Sequence, residues 1–90
     1  MFDFNEKTVL ITGASYGLGE QFAYAFAECG ADLILTARST DLLESVGEQC
    51  RSHGNKVTVV PGDVSIEADV ENVIATGLEA HEKIDVLINN

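Results

Sequence analysis

The sequence has no tryptophan, a single proline, a single methionine and two cysteines, and only five of its 90 residues are basic. Each scarcity excludes something. One proline, with 46 % hydrophobic and 22 % charged residues, is unlike a disordered or low-complexity chain and reads as one globular unit. Five basic residues against fifteen acidic ones leave a formal net charge of −10. That balance repels polyanions, so nucleic acids and acidic membrane surfaces are excluded as expected partners. No apolar run reaches the roughly 20 residues that a membrane-spanning helix needs. The opening MFDFNEK lacks an apolar segment behind a basic start, so no secretory signal is read there. Cys29 and Cys50 stand far apart, without metal-ligand spacing. They read as reduced, packed thiols, and the expected location is cytoplasmic.

What is present is an alternation of two periodicities. Residues 8–12, TVLIT, form a short β-branched run of the kind covered on both faces. Glycines follow, then Leu18, Phe22, Phe26 and Cys29 at helical spacing, with Gly30 placed for a left-handed C-cap. The pair Phe22 and Phe26 is expected in the core, and Phe2 and Phe4 against the sheet edge or the first helix. Residues 32–37 make a second strand. Ser39 or Thr40 caps a second helix with the stripe Leu42, Leu43, Val46 and Cys50, weakened by Gly47 and closed by His53-Gly54. Residues 57–60 are a third strand. Ser65 is expected to cap a third helix, whose apolar face is Val70, Val73, Ile74, Gly77 and Leu78. Residues 84–88 are the fourth strand. His53 and His81 are expected on the solvated surface.

The order is β-α-β-α-β-α-β, recurring roughly every 25 residues, which argues for an α/β fold with a parallel sheet and helices on its faces. Right-handed crossovers then favour a Rossmann-like doubly wound sheet, with expected strand order 3-2-1-4.

The sharpest motif is Thr12-Gly13-Ala14-Ser15-Tyr16-Gly17-Leu18-Gly19, joining the first strand to the first helix. Gly13 allows a tight turn, Gly17 removes a side chain where backbone approaches a pyrophosphate, and Gly19 allows helix to sit close on strand. Free N–H groups and the positive end of the helix dipole then face the anion. Glycine loops also serve as ordinary turns; the flanking strand and helix favour the phosphate-binding reading here.

The spacing G-x-x-x-G-x-G after Thr12 resembles the short-chain dehydrogenase/reductase family rather than the general G-x-G-x-x-G fingerprint. Gly62-Asp63-Val64 is similar to that family's acidic motif, and Leu87-Ile88-Asn89-Asn90 to the start of its Asn-Asn-Ala-Gly motif. The resemblance covers the whole chain. It implies that Asp63 meets the adenine amino group while Val64 offers its backbone; a turn-capping role for Asp63 is the plainer alternative. The cofactor-binding set is therefore Gly13, Ser15, Tyr16, Gly17, Leu18, Gly19, Arg38, Ser39, Asp63, Val64 and Asn90.

An acidic side chain at the end of the second strand would bind both ribose hydroxyls, whereas an arginine pairs with a 2′-phosphate. That strand ends Leu35-Thr36-Ala37-Arg38-Ser39, so NADP is favoured over NAD. Arg38 solvated, or paired with Asp41 or Glu44, is the plainer alternative. Family members that bind the phosphate often carry a second basic residue in the glycine loop; Tyr16 stands there, supplying a hydrogen bond without charge.

The family's chemistry needs a serine, a tyrosine and a lysine four residues after that tyrosine. Neither tyrosine qualifies, because Tyr16 is followed at that spacing by Glu20 and Tyr24 by Glu28. The expectation is the amino-terminal, cofactor-holding part of an NADP-dependent oxidoreductase acting on a carbonyl or alcohol, interrupted at the end of its fourth strand. Residues 1–90 alone are expected to be inactive, and to self-associate through the unpaired fourth strand. A free-standing nucleotide-binding module is the alternative, and a homo-oligomer is expected of the complete protein.

Overall fold

The computed structural model describes residues 3–90, so Phe2 lies outside the described residues. The elements follow in the order β1 (Thr8–Thr12), α1 (Gly17–Glu28), β2 (Asp32–Thr36), α2 (Thr40–Arg51), β3 (Val57–Val59), α3 (Glu67–His81) and β4 (Val86–Ile88). All four strands are parallel, in the spatial order β3-β2-β1-β4. Leu10 pairs with Ile34 on one side and Leu87 on the other, and Ile34 pairs with Thr58. The expected order and topology are thus the observed ones.

Alternation along the central strands divides the core in two. Val9, Ile11, Leu33 and Leu35 face α1 and α2, meeting Ala23, Ala27, Leu43, Val46 and Cys50. Leu10 and Ile34 point the other way, toward α3, with Val60 and Val73. Leu33, Ile34 and Leu35 are fully buried. Each such side chain removed from water contributes about 1.5–3 kcal/mol. Two covered faces explain why these strands read as continuous apolar runs rather than as alternating ones.

The first helix turns inward a different stripe from the one its bulky residues suggested, whereas α2 and α3 keep part of the expected face: Leu43, Val46 and Cys50 in α2, Val73 and Gly77 in α3. In α1 the buried residues are Gly19, Ala23 and Ala27, while Leu18 and Phe22 are exposed. Both stripes have helical spacing, and they differ by one residue, about 100° around the axis. The small stripe wins because α1 lies against the loop that precedes it: a Cβ on Gly19 would fall 1.9 Å from the Gly13 carbonyl oxygen. Phe26 is half-buried and meets Phe4 edge to face, with ring centroids 5.1 Å apart. Phe22 is therefore not a core residue. In α2 the inward face is Leu43, Val46, Gly47 and Cys50, and Leu42 is exposed. Gly47 is there for space, since a Cβ would lie 2.6 Å from Val59 Cγ2.

In α3 the buried residues are Val73, Gly77 and His81, and Ile74 and Leu78 are exposed. His81 is thus a buried residue rather than a surface one, whereas His53 is exposed as expected. Ser65 does not cap this helix. The N-cap is Ile66, and Ser65 instead donates from its amide and hydroxyl to Asp63 Oδ1, at 2.9 and 2.7 Å. Ser39 does occupy the N-cap of α2, with no side-chain hydrogen bond there. Gly30, at φ +94°, stands beyond the last turn of α1 as its position suggested. The fourth strand is shorter than expected: β4 begins at Val86, with Asp85 exchanging backbone and side-chain hydrogen bonds with Thr8.

Candidate functional site

In a parallel sheet every carboxyl-terminal strand end lies on one side, and there the loops after β1, β2, β3 and β4 converge. They form a groove of about 260 Å³ lined by Gly13, Ser15, Tyr16, Arg38, Ser39, Asp63, Val64 and Asn90, together with Ala37, Leu42 and Gly62. Four segments separated in sequence thus meet around one groove. Gly17, Leu18 and Gly19, also singled out in the sequence, are not in its lining.

The first wall is the glycine loop. Gly13 and Gly17 take φ of +60° and +62°, a region that favours glycine. A Cβ on Gly13 would lie 3.0 Å from Asn90 Nδ2, whereas one on Gly17 would meet nothing within 4 Å. Gly13 is therefore needed for both turn and fit; Gly17 leaves open approach to the backbone. Tyr16 is the N-cap of α1 in extended backbone, without a side-chain cap, and is 72 % exposed at the rim. Ser15 is buried. The first turn of α1 carries amides with no intrahelical acceptor, the arrangement that binds phosphate oxygens. Glu20, the acidic residue of that turn, accepts the Tyr24 hydroxyl proton at 2.7 Å. Tyr24 thus pairs with the carboxylate four residues before it rather than with Glu28. Burial, followed by this hydrogen bond, pushes the Tyr24 phenol up to about 12.

The second wall follows β2. Arg38 and Ser39 are exposed there, and no carboxylate lies within ion-pair distance of Arg38 among the described residues. Pairing with Asp41 or Glu44 is therefore not seen. The other four basic residues lie toward the far end of the sheet: Lys7, Lys56 and Lys83 precede β1, β3 and β4, and Arg51 closes α2. Among the described residues, Arg38 alone carries positive charge to the groove.

The third wall is the turn after β3. Gly62 N–H donates to the Ala37 carbonyl at 3.0 Å, holding this turn beside Arg38. Asp63 Oδ1 accepts both hydrogen bonds from Ser65, and the Asp63 amide donates to Asp69 Oδ2 at 2.9 Å. The Ser65 hydrogen bonds, and more weakly the Arg38 charge, hold the Asp63 carboxyl below its ordinary value. Its turn-capping role is therefore real, and it still leaves Oδ2 without a hydrogen bond among the described residues.

The fourth wall closes on the first. Thr12 Oγ1 donates to Asn89 Oδ1 at 3.1 Å and accepts from the Asn90 amide at 3.0 Å; Asn90 Nδ2 donates to the Gly13 carbonyl at 3.2 Å. The sequence motifs contain these residues, but only the β1–β4 pairing joins them. Thr12 opened the glycine motif without a role assigned to it, and Gly62 opened the Gly-Asp-Val motif. Ala37, Leu42 and Asp69 are the participants that sequence reasoning missed, and nothing local marks them.

A second depression of about 320 Å³ lies on the α3 face, with Leu10, Val73, Ile74 and Leu87 among its lining. It is largely apolar and holds few of the motif residues, so the polar groove is the candidate nucleotide site. Cys29 and Cys50 are both free thiols, and burial pushes Cys50 up to about 11, which removes it as a nucleophile near neutral pH. No cluster of metal-ligating side chains occurs among the described residues, and none of their helices is long and apolar enough to cross a membrane.

The chain has well-matched relatives. It is 48 % identical over 85 residues to the 11-beta-hydroxysteroid dehydrogenase-like 2 of Arabidopsis thaliana, covering 93 % of this chain and 28 % of that one. The L-sorbose reductase of Gluconobacter frateurii, solved with NADPH and L-sorbose, superposes with a TM-score of 0.95 at 31 % identity. That match covers 99 % of this chain and 34 % of the reductase. A short-chain dehydrogenase/reductase of Burkholderia phymatum, solved with NAD, gives a TM-score of 0.90 at 36 % identity, over 97 % and 31 % of the two chains. The chain therefore spans about a third of the length of these proteins. Residues 7–90 match the sequence model of the short chain dehydrogenase family, and with the glycine loop, the strand order and the Asn89-Asn90 junction in place, the chain belongs to that family.

Proposed function

We propose that the chain is the amino-terminal, NADP-binding part of an oxidoreductase that moves hydride between NADP(H) and a carbonyl or alcohol. The observation that carries the cofactor choice is Arg38: it stands at the end of β2 with no carboxylate at ion-pair distance among the described residues, in a chain of net charge −10. A guanidinium placed so pairs with a ribose 2′-phosphate, whereas a carboxylate there would bind a ribose diol and repel the phosphate.

The remaining residues divide the work. Amides at the start of α1 take the pyrophosphate, with Gly13 and Gly17 allowing its approach and Gly19 keeping helix and loop together. Leu18 adds a first-turn amide. Ser15, Tyr16 and Ser39 supply hydroxyls to the phosphate that Arg38 neutralises. Asp63 Oδ2 accepts from the adenine amino group, the Val64 backbone meets the ring, and Asn90 contacts the cofactor where β4 ends. NADP(H), when bound, supplies or accepts the hydride. The general acid belongs to residues other than these, because neither tyrosine of this chain has a lysine four positions on.

The substrate is a small carbonyl or alcohol compound. The names of relatives direct attention to hydroxysteroids and that of one structural neighbour to a sugar. A cytoplasmic location and a homo-oligomeric complete protein belong to the same reading.

The test is titration of the isotope-labelled chain with adenosine 2′,5′-bisphosphate and with adenosine 5′-monophosphate, followed by amide shifts. Saturable shifts at Gly17, Arg38 and Asp63, tighter with the 2′-phosphate, support the reading. Equal affinity for the two, or shifts confined to other residues, would overturn it. For the full-length protein, NADPH consumption across a panel of steroids, sugars and simple ketones identifies the substrate.

A further inference from the structure

His81, the last residue of α3, is 8 % exposed, and its Nε2 lies 2.8 Å from Thr58 Oγ1 on the edge strand β3. One residue earlier, the Ala80 carbonyl accepts a hydrogen bond from the Lys56 ammonium. Lys56 in turn is anchored by its amide, which donates to Asp32 Oδ1 at 2.9 Å. The carboxyl end of α3 is thus fastened to β2 and β3 by side chains from three elements. Gly77 sets the middle of the helix against Ile34. At the other end, Asp69 Oδ2 holds the Asp63 amide at the groove. One helix therefore spans from the His81 contact to the candidate nucleotide site.

The chemistry at His81 is asymmetric. Neutral imidazole exchanges one hydrogen bond with Thr58 in either direction, as donor or as acceptor. Imidazolium can still donate to Thr58 Oγ1, so what it changes is charge: it places a positive charge in a buried position beside the Lys56 ammonium, and that repulsion is what opens the contact. The Asp32 carboxylate opposes that repulsion. Burial first, and then Lys56, hold the His81 ring below its ordinary value of 6.5, with Asp32 offsetting part of the effect.

We propose that His81 is a proton-operated latch: in its neutral form it fastens α3 to β3 through Thr58, and on taking a proton from solvent it releases that end of the helix and loosens the hold of Asp69 on Asp63. The sign follows from linkage. The unfolded or released chain binds the proton more tightly than the docked one, so the stabilisation is complete above the ordinary histidine value and is lost as pH falls below it.

The experiment needs no nucleotide, so its outcome is independent of the cofactor reading. Ring resonances of His81 are followed from pH 8 to pH 5 in the 90-residue chain. In parallel, amide exchange across α3 and at Asp63 is measured and corrected for the intrinsic chemistry of exchange. The expected result is titration of His81 below 6.5, with protection falling together at residues 73–81 and at Asp63 over the same interval. His81→Gln keeps a partner for Thr58 but cannot titrate, and should abolish that pH dependence. Thr58→Val removes the partner and should give, at pH 7.5, the low protection that the parent chain shows at pH 5. Titration of His81 at or above 6.5 overturns the proposal. So does an unchanged acid loss in His81→Gln, or full protection in Thr58→Val; the parent and Thr58→Val results decide the matter if His81→Gln does not fold.

Discussion

The hydroxyl of Thr12 joins two segments 77 residues apart, donating to Asn89 Oδ1 at 3.1 Å while accepting from the Asn90 amide at 3.0 Å. This one oxygen fixes the end of β4 to the end of β1, and so places Asn90 against Gly13. Thr12→Val keeps the shape and removes both hydrogen bonds. The expected loss of stability is about 1–3 kcal/mol, read from urea unfolding, since the Asn90 amide and Asn89 carbonyl both lose a partner. Thr12→Ser should retain most of it. Equal stability of all three chains would show that the junction is held by β1–β4 pairing alone.

Two glycines at the start of α1 should fail in different ways. In Gly19→Ala the new methyl meets the Gly13 carbonyl oxygen, a backbone atom that cannot swing aside. We expect a cost of about 2 kcal/mol or more, the range of overpacked cores. Gly17→Ala meets nothing and costs only the left-handed backbone, about 1–2 kcal/mol. Its larger effect should be on nucleotide affinity. Urea midpoints and nucleotide titrations on both variants separate the two; a silent Gly19→Ala would contradict the observed contact.

Reversing the charge at Arg38 tests the cofactor assignment directly. Arg38→Asp should weaken binding of NADP far more than that of NAD, measured by calorimetry on the same preparation. Among the described residues the groove has no other basic residue to compensate, because the other four lie toward the amino-terminal end of the sheet or at the end of α2. Equal losses for the two cofactors would sink the assignment.

Tyr24 gives a prediction at high pH. Its phenol is held protonated to about 12 against an ordinary 10.0, first by burial and then by the Glu20 carboxylate. The folded chain therefore binds this proton more tightly than the unfolded one. Stability contributed here is present below pH 10 and is lost as pH rises through about 12. Ultraviolet titration of phenolate should show a late step that Tyr24→Phe removes and Glu20→Gln moves downward. A late step unchanged in Tyr24→Phe would reassign it.

The outer edge of β4 pairs with no strand among the described residues, and Leu87 is 58 % exposed on it. Unpaired apolar edges recruit partners. The 90-residue chain should sediment as larger species with rising concentration, and Leu87→Lys should reduce this. A monomer at all concentrations would exclude the edge as a contact.

Sequence by itself determined which segments are strands and helices, their parallel order and most of the residues that line the candidate groove, though not Ala37, Leu42 or Gly62. The signals are local: continuous β-branched runs mark strands covered on both faces, and Gly13 and Gly17 permit the positive φ that the loop adopts. Sequence also placed Leu43, Val46 and Cys50 of α2 and Val73 and Gly77 of α3 inward, but did not determine which side of α1 faces inward. Leu18-Phe22 and Gly19-Ala23 have the same spacing, and hydrophobicity favours the wrong stripe. Only the approach of Gly19 to the Gly13 carbonyl selects the small one, and only the seating of Gly77 on Ile34 brings His81 inward beside the expected Val73. Leu42 in the groove, Asp69 behind Asp63 and Thr58 beside His81 were likewise decided by tertiary structure. Each pairs residues from separate elements, and a distance through space has no signature along a single chain.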